Sequence, residues 1–199
     1  LAVYPLHLLT AENPATPRLL ELTLNFWCEQ TRGRRSGWLF THGAAMLTCS
    51  GCHAEAVARL DQAIHGVFTA NTFCHEDGNP VIEGPLAWAA AVHELLLQSW
   101  GGVIRVFPGV PAAWGDTAFE NLRAEGAFLV SAERRNGRTR SVRVKSLAGE
   151  PCRIRPGLEA PVVCEGALRG PLRAEADGTY ELPLRRGEEA VLSSAAAKG

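Results

Sequence analysis

The spacing of apolar residues changes once along this chain of 199 residues, close to residue 101. Before that point apolar side chains recur every three or four residues, as along one face of a helix. Beyond it they recur at every second residue, as in a strand. The change predicts an α + β chain in which a helical segment precedes antiparallel strands. We expect helices at 1–100, a linker at 101–116 and a β domain at 117–199.

Four helices are predicted in the first segment. Proline suits the first turn of a helix, and Pro17 and Pro85 begin two of the four. The other two helices cover 38–48 and 53–68. The last helix is expected to run to the glycine pair that follows Trp100, so no sheet is predicted in this segment.

Apolar side chains surround much of the first helix, including Leu19, Leu20, Leu22 and Leu24. Such a helix needs neighbours on both sides, and four helices do not supply them. The chain also begins with Leu1, inside an apolar run, rather than with Met. We therefore expect a piece of a longer polypeptide, and the lack of a visible export signal then carries no information about localisation.

Short strands are predicted in the second segment. The dipeptide Asn136-Gly137 lies between the β-like runs 127–133 and 139–145, which is typical of a type I′ hairpin turn with positive φ at both residues. Further strands are predicted at 103–107, 152–155, 161–164, 179–184 and 189–193. Short strands at this spacing indicate an antiparallel sandwich.

Charge and composition exclude two classes of protein. The formal net charge is -1, whereas a nucleic-acid-binding protein presents a strongly basic face. No run of about 18 apolar residues occurs, so we expect no membrane-spanning helix. All 6 His and all 5 Trp precede residue 115, and these residue types titrate near neutral pH or stack on flat ligands. Any chemistry is therefore expected in the first half of the chain.

Two cysteines and a histidine, Cys49, Cys52 and His53, form the pattern C-x-x-C-H. This pattern attaches c-type haem, but it also suits a turn between two helices, which we favour. A zinc site with Cys74 and His75 as further ligands is another interpretation, although adjacent ligands fit a tetrahedral site poorly. We expect no metal and no other cofactor.

The remaining cysteines give one candidate disulfide. Cys152 and Cys164 flank two neighbouring predicted strands and are the pair that we consider. Cys28 lies on an apolar helix and is expected to be a small buried hydrophobic residue.

The irregular stretch 69–84 holds three carboxylates and a histidine ahead of a helix. Glu83 follows two apolar residues, so we expect a half-buried carboxylate at a strand end, which suits a general acid or base. The structural alternative is that the Glu83 carboxylate interacts with the positive end of the helix dipole. Glu76 and Asp77 are expected in a solvated turn.

Six motifs follow one another along the chain. They are Ser-Gly-Trp at 36–38, Asn-Thr-Phe at 71–73, Val-Ile-Glu-Gly at 81–84, Gly-Gly-Val-Ile-Arg-Val-Phe-Pro at 101–108, Val-Pro-Ala-Ala-Trp at 110–114 and Val-Lys-Ser at 144–146. Their order resembles the C-terminal part of glycoside hydrolase family 95, the α-L-fucosidase and α-L-galactosidase family. The resemblance covers residues 1–157 and is strongest over 94–146.

The resemblance implies an (α/α)6 barrel followed by a β-sandwich. The helices of this chain would be the last of the barrel, which the upstream part of the polypeptide closes. It also implies an inverting glycosidase with a Glu as general acid and an Asp as general base, the latter in a motif Ile-Asp-Gly-Asn. Glu83 stands at the position of this base and Pro85 at that of the Asn. The general acid and the Asn residues that hold the water would lie upstream of Leu1.

On this interpretation the partner is a carbohydrate. We take Trp38, His42 and His75 as candidate substrate-binding residues, since flat rings stack on sugars. The alternative function is a non-catalytic carbohydrate-binding or structural protein derived from the same fold, which the changes at Glu83 and Pro85 favour.

Overall fold

The computed structural model describes residues 1–34, 36–76 and 78–195. The chain divides into two compact units, the first Leu1–Leu95 and the second beginning at Leu96. Among the described helices, none is long and apolar enough to cross a membrane.

Four helices make up most of the first unit: α1 Pro17–Gln30, α2 Gly37–Cys49, α3 His53–Gly66 and α4 Glu83–Leu96. They lie where the apolar period predicts them, so the prediction of four helices in this segment is confirmed. Local signals define their starts. Pro17 occupies the first turn of α1, and the Ser36 side chain accepts a hydrogen bond from the Leu39 N–H at the start of α2.

Helix α2 is central to the first unit because its apolar side chains belong to two clusters. One cluster joins α2 to α3 and α4 through Ala44, Ala45, Leu47, Ala56, Leu60, Ala91 and Leu95. The other joins α2 to α1 and the preceding segment through Met46, Leu20 and Val3. Helix α2 is therefore buried along most of its length.

Two short strands precede α4, so the expectation of no sheet before residue 100 is wrong. Strand β1 Cys74–Glu76 pairs antiparallel with β2 Asn79–Val81. Strands of three residues show no readable alternation, because cross-strand pairing rather than a local pattern defines them.

Helix α4 ends before the predicted position, and the chain continues as strand β3 Leu97–Trp100. This strand pairs with β4 Val103–Val106 across Gly101 and Gly102, which both have positive φ. The leucines that precede Trp100 suit a buried strand as well as a helix, and pairing with β4 decides between the two.

The second unit consists of β3, β4 and eight further strands. These are β5 Thr117–Ala124, β6 Phe128–Arg135, β7 Arg138–Ser146, β8 Cys152–Arg155, β9 Val162–Gly166, β10 Gly170–Leu172, β11 Tyr180–Leu182 and β12 Glu189–Ser194. One sheet has the order β10-β9-β12-β7-β6-β5 and the other β11-β8-β4-β3. Strands β5 and β10 were not among the predicted ones. The pairing of β4 with β8 is parallel, whereas the other described pairings are antiparallel.

Both sheets contribute to one apolar core. Ile104 and Ile154 come from the four-stranded sheet, and Val130, Val142 and Val144 from the six-stranded sheet. The spacing of apolar residues at every second position, predicted beyond residue 101, is confirmed in β7, because Val142 and Val144 are fully buried while the residue between them is not.

The predicted hairpin turn is confirmed at the tip of β6 and β7. Asn136 has φ 50° and Gly137 has φ 75°, as a type I′ turn requires. The Asn136 N–H also donates to the Asp116 carboxylate at 2.8 Å, which ties the turn to the segment before β5.

Helix α1 carries apolar side chains on two sides. Leu20 packs into the first unit, whereas Leu19, Leu22 and Phe26 are 52%, 47% and 65% exposed. Their spacing of three and four residues makes one apolar stripe along the exposed side of the helix.

Two glycines of the second unit allow a matched test of its packing. Gly166 and Gly178 both have positive φ, but only at Gly166 would a Cβ approach backbone, at 2.5 Å from the Glu189 carbonyl oxygen. We expect Gly178→Ala to cost about 1–2 kcal/mol from the left-handed conformation alone. Gly166→Ala should cost about 1–3 kcal/mol more, since β9 must move away from β12.

The measurement is native-state hydrogen exchange of the β9 and β12 amides, which reports the free energy of opening in that part of the sheet. Equal losses of protection in the two variants would contradict the close approach of Gly166 to β12.

Candidate functional site

Two helix N-termini meet at a pair of glycines. Gly37 is the first residue of α2 and Gly84 the second residue of α4. A Cβ on either glycine would lie 3.5 Å from the Cα of the other, and 2.8 Å (Gly37) or 2.6 Å (Gly84) from the Cys74 sulfur. The two helices therefore approach this closely only because neither glycine has a side chain. We call this place the helix junction.

Cys74 fills the space between the two glycines and is fully buried. Burial raises the pKa of its thiol, and the negative charges of Glu76 and Glu83 raise it further, while a hydrogen bond from the Gly84 N–H acts in the opposite direction. The thiol therefore stays protonated at neutral pH and is a packing group rather than a nucleophile.

Glu76 attaches the hairpin to the start of α2. Its Oε1 atom accepts a hydrogen bond from the Ser36 hydroxyl at 2.8 Å and another from the Trp38 N–H at 3.1 Å. A carboxylate at a helix N-terminus satisfies free N–H groups and interacts favourably with the helix dipole. The expectation that Glu76 lies in a solvated turn is wrong; Asp77 lies outside the described residues.

Trp38 presents an aromatic face at the surface. Its side chain is 44% exposed and stacks on the His42 ring, with centroids 5.1 Å apart and planes at 17°. His42 is buried beneath it and also contacts the rings of Trp27 and Tyr4. Burial lowers the pKa of His42, so its imidazole is neutral at neutral pH. His42 thus supports the Trp38 ring from behind.

Glu83 is the first residue of α4, and its side chain is exposed. Its Oε2 atom accepts a hydrogen bond from the Ile82 N–H at 3.1 Å, which fixes the carboxylate at the helix start. The expected half-buried position is wrong, because Glu83 is exposed on the first turn of a helix that begins two residues before Pro85.

His75 does not join the helix junction. Side chains alternate along a strand, so His75 lies on the opposite face of β1 from Cys74 and Glu76, and it is exposed. Of the residues predicted for the site, Trp38 and His42 stack on each other. Glu83 does not contact them in this way, but it directly precedes Gly84 of the helix junction.

Sequence analysis missed Glu76 and Ser36 as members of this site. A signal existed for Ser36, because a serine directly before an apolar run is a typical N-cap. No local signal existed for Glu76, since its role depends on a contact between residues 40 positions apart.

The C-x-x-C-H motif forms the turn between α2 and α3. The Gly51 N–H donates to the Thr48 carbonyl and the Cys52 N–H to the Leu47 carbonyl, and Gly51 has φ 82°. This is the Schellman arrangement that ends many helices. Cys49 is buried and its thiol donates to the Glu94 carboxylate at 3.7 Å, whereas Cys52 is exposed. The two thiols therefore have different surroundings, which does not suit their joint attachment to a haem.

The other cysteine hypotheses are also not supported. Within residues 1–34, 36–76 and 78–195, no group of three or more His, Cys, Asp or Glu residues could hold a metal, which removes the zinc interpretation with Cys74 and His75. Cys152 lies in the four-stranded sheet and Cys164 in the six-stranded one, and both are free, buried thiols. The candidate disulfide is therefore wrong.

The second unit contains the stretch that matches a known protein family. Residues 98–191 match the family model described as glycoside hydrolase family 95, C-terminal domain, which confirms the resemblance to this family. The match lies within the second unit and does not include the helix junction.

Among solved structures, the chain is similar to a glycoside hydrolase family 127 β-arabinofuranosidase, with a TM-score of 0.33 and 10% sequence identity. The similarity covers 79% of this chain and 31% of that chain, so this chain spans about a third of the length of that protein. No curated protein is significantly similar in sequence.

The contacts of Glu76 predict a measurable loss when they are removed. Glu76→Ala should destabilise the start of α2 by about 0.5–2 kcal/mol, since a capping acceptor is lost. Glu76→Gln keeps an oxygen acceptor and should cost less. Faster hydrogen exchange at Trp38 and Leu39 reports the change. The exposed Glu21 is the control, and a Glu21→Ala variant with the same effect at Trp38 would contradict the assignment.

Thiol reactivity tests the placement of the cysteines. In the native chain the exposed Cys52 should react with an aromatic disulfide reagent in a fast phase. Cys152 should react more than about tenfold more slowly, because burial raises its pKa to about 12. Cys52→Ser should remove the fast phase and Cys164→Ser should leave it unchanged. Cys28 is partly exposed, so the test is made in a Cys28→Ser background, in which a fast phase that survives Cys52→Ser would show that a cysteine described as buried is accessible.

Proposed function

We propose that this chain is part of an inverting glycoside hydrolase that acts on α-L-fucosides or related sugars. In this proposal α1 to α4 are the last helices of an (α/α)6 barrel, and the second unit is its β-sandwich. The family match over residues 98–191 supports the class of enzyme. The location of the proposed site rests on the contact of Gly37 with Gly84. Trp38 directly follows Gly37 and Glu83 directly precedes Gly84, so both residues lie at the helix junction.

Glu83 is assigned the role of general base. Its Oε2 atom accepts the Ile82 N–H, and within the described part of the chain no donor contacts Oε1, which is available to a water molecule. The base takes a proton from this water as the water attacks the anomeric carbon, and an upstream acid protonates the leaving oxygen. Such a pair of carboxyl groups stands about 6.5–9.5 Å apart in inverting enzymes.

Trp38 is assigned the role of a platform for the sugar. An exposed indole face suits the apolar C–H face of a pyranose, and the stacked His42 keeps the ring in one orientation. The Glu76 hydrogen bond to the Trp38 N–H fixes the platform relative to the stretch that leads to Glu83. We give His75 no part in this site, because it faces away from the junction.

In this proposal, further helices of the same polypeptide pack against the exposed apolar stripe of α1. The side chains Leu19, Leu22 and Phe26 form an apolar surface that a neighbouring helix of a barrel would cover. The general acid belongs to that upstream part, so this chain alone should not hydrolyse a glycoside.

A non-catalytic carbohydrate-binding protein of the same fold is the second candidate. The geometry of Glu83 favours this second candidate. A carboxylate at a helix start that accepts a hydrogen bond from the N–H of the preceding residue stabilises the helix end and needs no catalytic role. Pro85, in place of the Asn of the family motif, points the same way.

The two candidates differ in the effect of Glu83→Gln in the complete polypeptide. An amide keeps the shape of the carboxylate but does not accept the proton of water. We expect turnover of an aryl α-L-fucoside to fall by about 10²–10⁴-fold. The free energy of unfolding should change by no more than about 0.3–1 kcal/mol, as for a carboxylate near a helix start.

Glu21→Gln is the control for this experiment, because Glu21 is an exposed carboxylate that pairs only with Arg18 among the described residues. It should retain full turnover. Unchanged turnover with lost stability in Glu83→Gln would identify Glu83 as a structural group and would favour the second candidate. Hydrolysis by the 199-residue chain alone would contradict the upstream position of the acid.

A further inference from the structure

Away from the helix junction, the first unit has a cavity of about 370 Å³ at the end of α1 and along α3. Three arginines line it, Arg32 and Arg34 from the loop after α1 and Arg59 from α3, together with one carboxylate, Glu55. Residues 1–95 carry nine acidic residues and five arginines, so this cavity is basic within an acidic unit.

Arg59 is the most confined of the three arginines. Its side chain is only 16% exposed, and its nearest carboxylate oxygen, on Glu55, is 3.7 Å away, beyond hydrogen-bond distance. Its other described partner is the sulfur of Cys28, a weak acceptor. A guanidinium has five N–H donors, and a largely buried one is costly to leave without acceptors.

Arg32 and Arg34 add to the positive charge. Both are exposed, and within the described residues neither forms an ion pair. Their position after α1 is favourable for cations, since the C-terminal end of a helix is negative. The interaction with the helix end is a structural reason for arginines at these two positions. It does not occupy their guanidinium groups, and both residues line the cavity.

We propose that this cavity binds a compact oxyanion, a sulfate, phosphate or carboxylate group, with Arg59 as its central ligand. The planar fork of a guanidinium matches two oxygens of such a group, which a lysine does not. The charges support an anion, because three arginines face a single glutamate. The proposal does not rest on the glycosidase function, since it uses no residue of the helix junction.

The test is a titration of the 199-residue chain with sodium sulfate at constant ionic strength, balanced with sodium chloride and followed by amide NMR shifts. We expect saturable shifts near Arg32, Arg34 and Arg59. Arg59→Gln should weaken binding at least tenfold, and Arg59→Lys should weaken it as well because the fork is lost. Arg18→Gln is the matched control, since Arg18 is 73% exposed and pairs with Glu21.

Two outcomes would overturn the proposal: no saturable shifts in the wild-type chain, or equal sulfate affinity in Arg59→Gln and wild type. If Arg59→Gln does not fold, the double variant Arg32→Gln with Arg34→Gln replaces it, and it must also weaken sulfate binding. Glu83→Gln should leave sulfate binding unchanged, so failure here is distinct from failure of the proposed glycosidase function.

Parallel titrations distinguish the sources of the anion. Glucuronate and galactose 6-sulfate carry the group on a sugar, whereas sulfate and phosphate carry it alone. An acidic sugar is supported as the ligand if glucuronate or galactose 6-sulfate binds at least tenfold more tightly than sulfate and if this preference is lost in Arg59→Gln. Equal affinity supports a free oxyanion. Neutral galactose should cause no shift at Arg59, and a shift equal to that of the sugar acids would overturn the assignment.

Discussion

The contact between the starts of α2 and α4 determines where the candidate chemistry lies. Gly37 and Gly84 permit it, because a side chain on either would collide with the Cys74 sulfur. Cys74 in turn belongs to the hairpin that carries Glu76, and Glu76 binds the Trp38 N–H. The exposed indole, the hairpin carboxylate and the carboxylate of Glu83 therefore depend on one packing contact.

Much of the architecture could be predicted from local patterns. The helices follow the apolar period, and Asn136-Gly137 specifies its hairpin turn through the positive φ of both residues. The β1–β2 hairpin and β3 could not be predicted, because pairing partners define such short strands. At the candidate site, Trp38 was predicted from its flat ring, and Glu83 from its sequence surroundings and the family resemblance. Glu76 was missed because its contact with Ser36 is tertiary.

The family match and the candidate site lie in different units of the chain. The family model matches residues 98–191, whereas the sugar site proposed at the helix junction rests on contacts within residues 36–84. The family match therefore gives no information about the residues of the helix junction, which are argued from their own contacts. Among these contacts, the hydrogen bonds of Glu76 and the stacking of His42 on Trp38 hold the side chains of the candidate site.

An amide and indole NMR titration of this chain with L-fucose tests directly whether the helix junction binds a sugar. If the helix junction binds a sugar, the Trp38 indole and the amides of Gly37, Glu76 and Gly84 should shift together, and Trp38→Ala should abolish the shifts. A titration in which these signals stay unchanged, or in which shifts occur only in the β domain, would contradict the assignment of the helix junction as the sugar site.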